Sequence, residues 1–206
     1  MLVDGEWRTD LEPYTDEDGA FDRVETSFRD WIAGSLRGGD EPPVESDRFE
    51  PEAGRYHLYV ARNCPWAHGA ALTRRLCGLT DAVTMDVVDP VREDEGWRFA
   101  PEKDGCTPDT VNGSEFLREV YVAADPDYTG RVTVPVLWDR EAGTIVNNES
   151  IEIMRTFATA FGEVGEDGRD LYPEGYREEV DRVIDDIYDS INNGVYRAGF
   201  AESQAA

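Results

Sequence analysis

Apolar side chains recur along this chain with two different periods, and the change of period divides it into elements. Before residue 52 the pattern is thin. Asp, Glu, Gly and Pro dominate, and Phe21, Val24, Phe28, Trp31 and Ile32 fall at near-helical spacing, which predicts one helix over residues 21–36 within an N-terminal arm. From Arg55 the character changes to a run of strand formers, Tyr56-His57-Leu58-Tyr59-Val60-Ala61, stopped by Arg62-Asn63. Cys64-Pro65-Trp66-Ala67-His68 follows, and residues 69–79, rich in Ala, Leu and Arg, read as a helix. Proline is tolerated in a helix's first turn because its missing N–H has no partner to lose there, so Cys64 is placed at or just before the N-cap.

A second strand is predicted at Val83-Thr84-Met85-Asp86-Val87-Val88, then a polar stretch from Asp89 to Gly130 with one internal helix over residues 114–124. Val132-Thr133-Val134-Pro135-Val136-Leu137-Trp138 and Thr144-Ile145-Val146-Asn147-Asn148 flank a short Gly-containing loop and read as a hairpin. Asn148-Glu149-Ser150, ahead of Ile151, Ile153, Met154 and Phe157, announces another helix with polar side chains in its first turn. This order, βαβ and then ββα, is the plan of a thioredoxin-like α/β domain: a mixed sheet with helices on both faces, predicted over residues 53–162 behind an arm of residues 1–52. Beyond an acidic linker, Val180, Val183, Ile184, Ile187, Tyr188 and Ile191 stand at i, i+3, i+4, i+7, i+8 and i+11, one amphipathic helix over residues 174–192. Its stripe must bury itself on the first domain, on another chain or on sequence that is absent, and residues 163–206 read as a linker and this one helix.

Charge narrows the range of partners. With 45 acidic against 20 basic residues the formal net charge is -25, which repels nucleic acid and anionic lipid. Lys103 is the sole lysine, and the acids are spread along the whole chain, the composition of a halophilic protein kept soluble in high salt or, alternatively, of a GC-rich genome with an acidic proteome. No apolar run approaches the ~20 residues that span a bilayer, and the N-terminus lacks a basic and apolar leader, so a cytoplasmic location is expected.

Three cysteines, Cys64, Cys77 and Cys106, match no zinc-site spacing and are expected as thiols in a reducing compartment. A Cys64/His68 pair finds no further close ligands, so no metal is expected. Cys64 is the candidate nucleophile, because a helix N-terminus offers a favourable dipole and N–H donors to a thiolate. Position 67, where a resolving cysteine would stand, is Ala67, and Cys77 lies ~20 Å along the same helix, too far for a disulfide. The site is therefore monothiol and needs a second thiol to resolve a mixed disulfide; Cys106 is the internal candidate. His68 reads as a structural hydrogen-bonding residue, and Trp66 either covers a ligand or packs. A cis Val134-Pro135 bond would leave the Val134 backbone to pair with a γ-glutamyl peptide. Glu149 and Ser150 offer a carboxylate for an ammonium and a hydroxyl with N–H groups for a carboxylate, although a plain helix cap has the same sequence.

The residues carry a resemblance. Arg55-Tyr56-His57-Leu58-Tyr59-Val60 leading into Cys64-Pro65-Trp66-Ala67-His68, then Gly96-Trp97-Arg98-Phe99, the block from Asp125 to Asp139, Thr144-Ile145-Val146-Asn147-Asn148-Glu149-Ser150 and the segment from Asn192 to Ala201 resemble the glutathionyl-hydroquinone reductases, the Xi class of glutathione transferases. The resemblance implies that Cys64 attacks the sulfur of a glutathionyl-hydroquinone, releases hydroquinone and is regenerated from its mixed disulfide by a second thiol. It implies that Trp97 and Arg131 hold the glutathione moiety, Val134 its backbone, and Glu149 with Ser150 its γ-glutamyl end, while Tyr196 gives the hydroquinone a phenol hydrogen bond. Two departures stand out. Gly69 occupies a position where the family has Arg, and only the first helix of the family's second domain is present. A homodimer, or a partner chain supplying the remaining helices, is then expected. The thiol is glutathione or, if the composition marks a salt-adapted archaeon, γ-glutamylcysteine. Two other functions fit the same residues: a glutaredoxin-like deglutathionylase or dehydroascorbate reductase, and a non-catalytic interaction module.

Overall fold

A computed structural model describes residues 1–10, 21, 26–39, 41–165 and 168–202. Its centre is a four-stranded mixed sheet of order β4-β3-β5-β6, built from β3 (Tyr56–Ala61), β4 (Val83–Val88), β5 (Val136–Asp139) and β6 (Thr144–Asn147). β3 runs parallel to β4, as its helical crossover α1 (Pro65–Leu76) requires, and antiparallel to β5, which forms the hairpin with β6. Every residue of β3 is buried, which explains its unbroken run of Tyr, Leu and Val in place of an alternating pattern. α1 packs against α3 (Ser150–Thr159), and α2 (Leu117–Ala124) meets β6. A two-stranded hairpin, β1 (Leu2–Val3) with β2 (Glu6–Trp7), precedes the sheet.

The thioredoxin-like plan is therefore present, with four differences of detail. First, the helix expected over residues 21–36 is not found in its described part. Residues 26–36 run irregularly across the sheet edge, Arg29 bridging Asn147 while the Ala33 and Gly34 amides bond the Phe49 and Val44 carbonyls at 2.8 Å; positions 22–25, with Val24, lie outside the described residues. The apolar spacing there serves side chains plugged into the domain from an extended segment: Ile32 is fully buried and Phe28 stacks on Tyr128. Second, residues 114–116 approach α2 without joining it, held by the carboxylates of Asp109 and Glu119 on the Ser114, Glu115 and Phe116 amides. Third, the strand predicted from Val132 starts at Val136. The Tyr121 hydroxyl donates to the Thr133 carbonyl at 2.9 Å, occupying a group a strand ladder would use.

The fourth difference is at the C-terminal end, where the single helix becomes a short 3₁₀ turn, α4 (Arg177–Ile187), a π turn over Tyr188–Asn192 and α5 (Gly194–Phe200). Asp181 fastens α4 to the domain: it binds Arg155 of α3 at 2.6 Å, the Tyr172 hydroxyl and the Gly39 amide at 2.8 Å. The stripe is divided. Ile184, Ile187 and Tyr188 are half-buried, whereas Val183, Ile191, Val195 and Phe200 remain exposed. Among the described residues, no helix is long and apolar enough to cross a membrane.

Candidate active site

β3 ends in a turn that delivers Cys64 to the N-cap of α1, with an extended backbone (φ -90°, ψ 114°) and Pro65 as the first helical residue. Proline at that position fixes the helix start, and the amides of the first turn have no intrahelical acceptor, so the half-buried sulfur sits against the positive end of α1. Across from it the Val134–Pro135 bond is cis, and the Cys64 thiol points to the Val134 carbonyl at 3.5 Å. The cavity in front of the sulfur has a volume of about 1190 Å³, and Trp97, Arg131, Val134, Glu149, Ser150 and Tyr196 all line it with Cys64. Residues as far apart in sequence as 64 and 196 thus share one wall system.

Each arrives on a different element. Trp97 stands on the loop between β4 and α2, its carbonyl accepting the Leu117 amide at 2.9 Å, its ring half-buried and 5.8 Å from the Arg92 guanidinium; its indole N–H is buried with no partner. Arg131 follows Gly130, and its carbonyl accepts the Tyr128 hydroxyl at 3.0 Å. Glu149 is the N-cap residue of α3, yet its side chain makes no capping hydrogen bond, and Ser150 opens the helix in a buried position. The plain-cap reading of Glu149 therefore does not hold. Tyr196 on α5 stacks on Trp66, with centroids 6.1 Å apart and planes 27° apart, and Phe21, Tyr188 and Phe200 complete an aromatic wall beside the cysteine.

Charge in the cavity departs from that of the whole molecule. Six arginines and five carboxylates line it, a near balance in a chain of net charge -25, so an anionic ligand is not repelled there. None of the three cysteines is in a disulfide. Burial, reinforced by Asp170, pushes the Cys77 thiol up to about 11, and burial with Asp89 also raises that of Cys106. Neither lines the cavity.

Residues 63–160 match the family "Glutathione S-transferase, N-terminal domain". Over 206 residues the chain is 44% identical to glutathionyl-hydroquinone reductase YqjG of Escherichia coli, covering 100% of this chain and 62% of that protein. Among solved structures, a Xi class GST from Natrialba magadii superposes with a TM-score of 0.86 at 57% identity, covering 100% of this chain and 58% of that one. The glutathione-bound structure of YqjG superposes with a TM-score of 0.81 at 42% identity, covering 100% and 60%. Over its whole length the chain is similar to Xi-class glutathione transferases. It spans about three fifths of the length of each of these relatives.

The site also contains features the residue pattern did not single out. Asn148 donates from its amide to the Tyr121 hydroxyl at 2.9 Å, and because that hydroxyl already donates to Thr133, the Asn148 carbonyl oxygen is left buried without a partner in a cavity-lining residue. Its only signal was its place directly before Glu149-Ser150. Arg92 beside Trp97 sits in a polar loop without periodicity and gave no signal at all. His68 is the reverse case: it is exposed, and among the described residues its imidazole makes no hydrogen bond, so the structural role expected for it is absent. Gly69 lies where α1 packs on α3, and a Cβ there would lie 2.8 Å from the sulfur of the flexible Met154 side chain.

Proposed function

We propose that this chain carries the thiol-transfer site of a glutathione-dependent reductase acting on glutathionyl-hydroquinones, with Cys64 as the nucleophile. The observation that carries the reading is the placement of the Cys64 sulfur at the start of α1, opposite the Val134 carbonyl and within a cavity that also collects Trp97, Arg131, Glu149 and Ser150. YqjG, similar over this whole chain, is named for that activity and has been solved with glutathione bound.

In this reading Arg131 and the Trp97 indole N–H meet the carboxylate and carbonyl groups of the peptide, and the Val134 backbone pairs with its main chain. Glu149 receives the γ-glutamyl ammonium, while Ser150, at the start of α3, receives its carboxylate. The Cys64 thiolate attacks the thioether sulfur. An S–S bond forms, the C–S bond breaks, and its electron pair goes to the ring carbon, which takes up a proton to give hydroquinone. A second thiolate then attacks the mixed disulfide, expelling Cys64 as thiolate and leaving as the symmetric disulfide. Trp66 and Tyr196 hold the aromatic leaving group, and a second copy or a partner chain covers the exposed side of α4 and α5.

The test is incubation of the 206-residue chain with a glutathionyl-hydroquinone and glutathione in turn with γ-glutamylcysteine, following hydroquinone by chromatography and the Cys64 adduct by mass spectrometry. Hydroquinone release with a Cys64 adduct, both lost in Cys64→Ser, is the expected result. Turnover of simple mixed disulfides without hydroquinone release would move the assignment to a glutaredoxin-like activity. A Cys64 that alkylates with the pH dependence of free cysteine, ~8.5, and forms no adduct would remove the enzymatic reading.

A further inference from the structure

The N-terminal hairpin bonds to two loops that each carry a cavity-lining residue. On one side it is bonded to the loop preceding Arg131: Leu2 and Gly130 exchange backbone hydrogen bonds of 3.0 Å, the Gly5 amide donates to the Tyr128 carbonyl at 3.1 Å and the Asp4 amide to the Thr129 hydroxyl at 2.8 Å. The fit is close, because a Cβ on Gly5, whose φ is +75°, would lie 2.0 Å from the Pro126 carbonyl oxygen. On the other side Trp7 reaches the loop that carries Trp97. Its indole N–H donates to the Asp94 carbonyl at 3.0 Å, and its ring covers Gly96, where a Cβ would approach it to 3.1 Å and φ is +86°.

Arg118 of α2 closes the arrangement. Its guanidinium lies 5.3 Å from the Trp7 ring centroid and 4.1 Å from that of Phe116, and it pairs with the Glu95 carboxylate at 2.6 Å while also bonding the Glu95 carbonyl. The backbone of residues 94–96 is thus held by Trp7 from above and Arg118 from the side, one residue before the indole that faces the cavity.

From this we infer that Trp7 is a positioning residue for the thiol ligand: through the hairpin it fixes the Trp97 loop relative to the Arg131 loop, so that both cavity walls bind the same peptide at once. The inference rests on the thiol-site reading above. Its physical content is preorganisation. If the two loops move separately, ligand binding must order them, and affinity falls although Trp97 and Arg131 are themselves unchanged; Trp7 also lines the cavity, so loop exchange is the readout that separates positioning from direct contact.

The experiment compares the 206-residue chain with Trp7→Ala and Trp7→Phe. Phenylalanine keeps an aromatic ring at position 7 while losing the N–H bond to Asp94 and the outer indole atoms that cover Gly96, so it is the milder variant and serves if alanine fails to fold. Glutathione affinity is read by titration calorimetry, and loop order by hydrogen exchange at residues 93–98 and 128–131. The expected result is a loss of affinity of about threefold for Trp7→Phe and about tenfold or more for Trp7→Ala, the size of one or two net hydrogen bonds, with faster exchange in both loops. A merely structural Trp7 would lower the melting temperature and leave the affinity of the folded protein and the exchange of both loops unchanged, which would overturn the inference. If the unsubstituted chain binds no glutathione, the thiol-site reading fails separately, and unchanged loop exchange in the variants would still overturn the clamp.

Discussion

The Cys64 thiol lies 3.5 Å from the carbonyl of Val134, which precedes the neighbouring strand β5, and donates its weak hydrogen bond there. The contact describes the neutral thiol; once ionised the sulfur has nothing to donate, and the amides at the start of α1 become its better neighbours. Cys64→Ser keeps a donor for the same carbonyl. Its stability should therefore change by no more than about 0.5 kcal/mol in urea unfolding, while adduct formation falls to background, because an alcohol does not ionise near neutral pH. The other two thiols are raised, Cys77 to about 11, so the residual labelling of that variant by iodoacetamide at neutral pH should be slow. Fast labelling in Cys64→Ser would contradict the assignment.

The opposite end of the same strand is held electrostatically. Arg55, just before β3, grips the fully buried Asp139 at the end of β5, with Nε at 3.0 and 3.1 Å from its two oxygens and a terminal nitrogen at 2.6 Å; Asp139 also accepts the Glu141 amide at 2.8 Å in the hairpin turn. Asp139→Asn removes the buried counter-charge of the guanidinium, leaving it the exposed Glu52 carboxylate at 2.8 Å, and should cost about 3 kcal/mol in chemical unfolding. Because Cys64 follows the other end of β3, the glutathione affinity of the folded fraction should stay within about twofold, a difference of about 0.4 kcal/mol.

How much of this was legible depended on whether a local rule and the tertiary structure agreed. β3 and β4 were readable to the residue because both are composed of strand formers, β3 fully and β4 largely buried, and the Cys64-Pro65 junction was readable because proline at a helix start has one easy interpretation. The arm was misread because Phe28 and Ile32 take their spacing from the pits they fill on the domain, which mimics a helical period. Trp97, Arg131 and Tyr196 could be named only through resemblance, since loops and a split helix carry no periodic signal. Trp7 makes its contacts with a segment distant in sequence, and Arg92 lies in an aperiodic loop, so no local pattern records either.

Gly69 provides a test of packing against propensity. A Cβ there meets the Met154 sulfur at 2.8 Å, but that sulfur belongs to a flexible side chain, and glycine within a helix is unfavourable by roughly 0.5–1 kcal/mol relative to alanine. Gly69→Ala should therefore be neutral to stabilising, by up to about 0.5 kcal/mol, as Met154 shifts aside. Destabilisation by more than about 1 kcal/mol would show that the α1 and α3 interface is too rigid to yield.

Acid should expose a buried carboxylate. Burial by itself would raise the pKa of Asp86, but contact with the His57 imidazole, 3.1 Å away, and hydrogen bonds from the Thr110 amide and hydroxyl outweigh it and bring the group from 3.8 to about 2. A pKa lower in the folded chain than in the unfolded one stabilises the fold above about pH 4, and that stabilisation is lost as pH falls toward 2. The amount is on the order of 2 kcal/mol. Measured as the difference between the native chain and Asp86→Asn, stability should converge between about pH 5 and about pH 2.5, and parallel curves would refute the assignment.

Tyr196 separates the two halves of the proposed reaction. Its ring stacks on Trp66 and on Phe200, with centroids 6.1 and 6.2 Å apart, so Tyr196→Phe preserves the aromatic wall and removes only the hydroxyl. If that hydroxyl donates to the oxygen of a departing hydroquinone, the variant should lose about tenfold in kcat/KM toward a glutathionyl-hydroquinone, the value of one hydrogen bond at the upper end of its usual net range. Toward a mixed disulfide with no aromatic leaving group the loss should be smaller, because resolution by the second thiol takes place at Cys64 and needs no phenol. Tyr196→Ala removes the stacking as well and should raise KM for the aromatic substrate further. Equal losses toward both substrate types would place Tyr196 in the architecture of the aromatic wall and not in recognition of the leaving group.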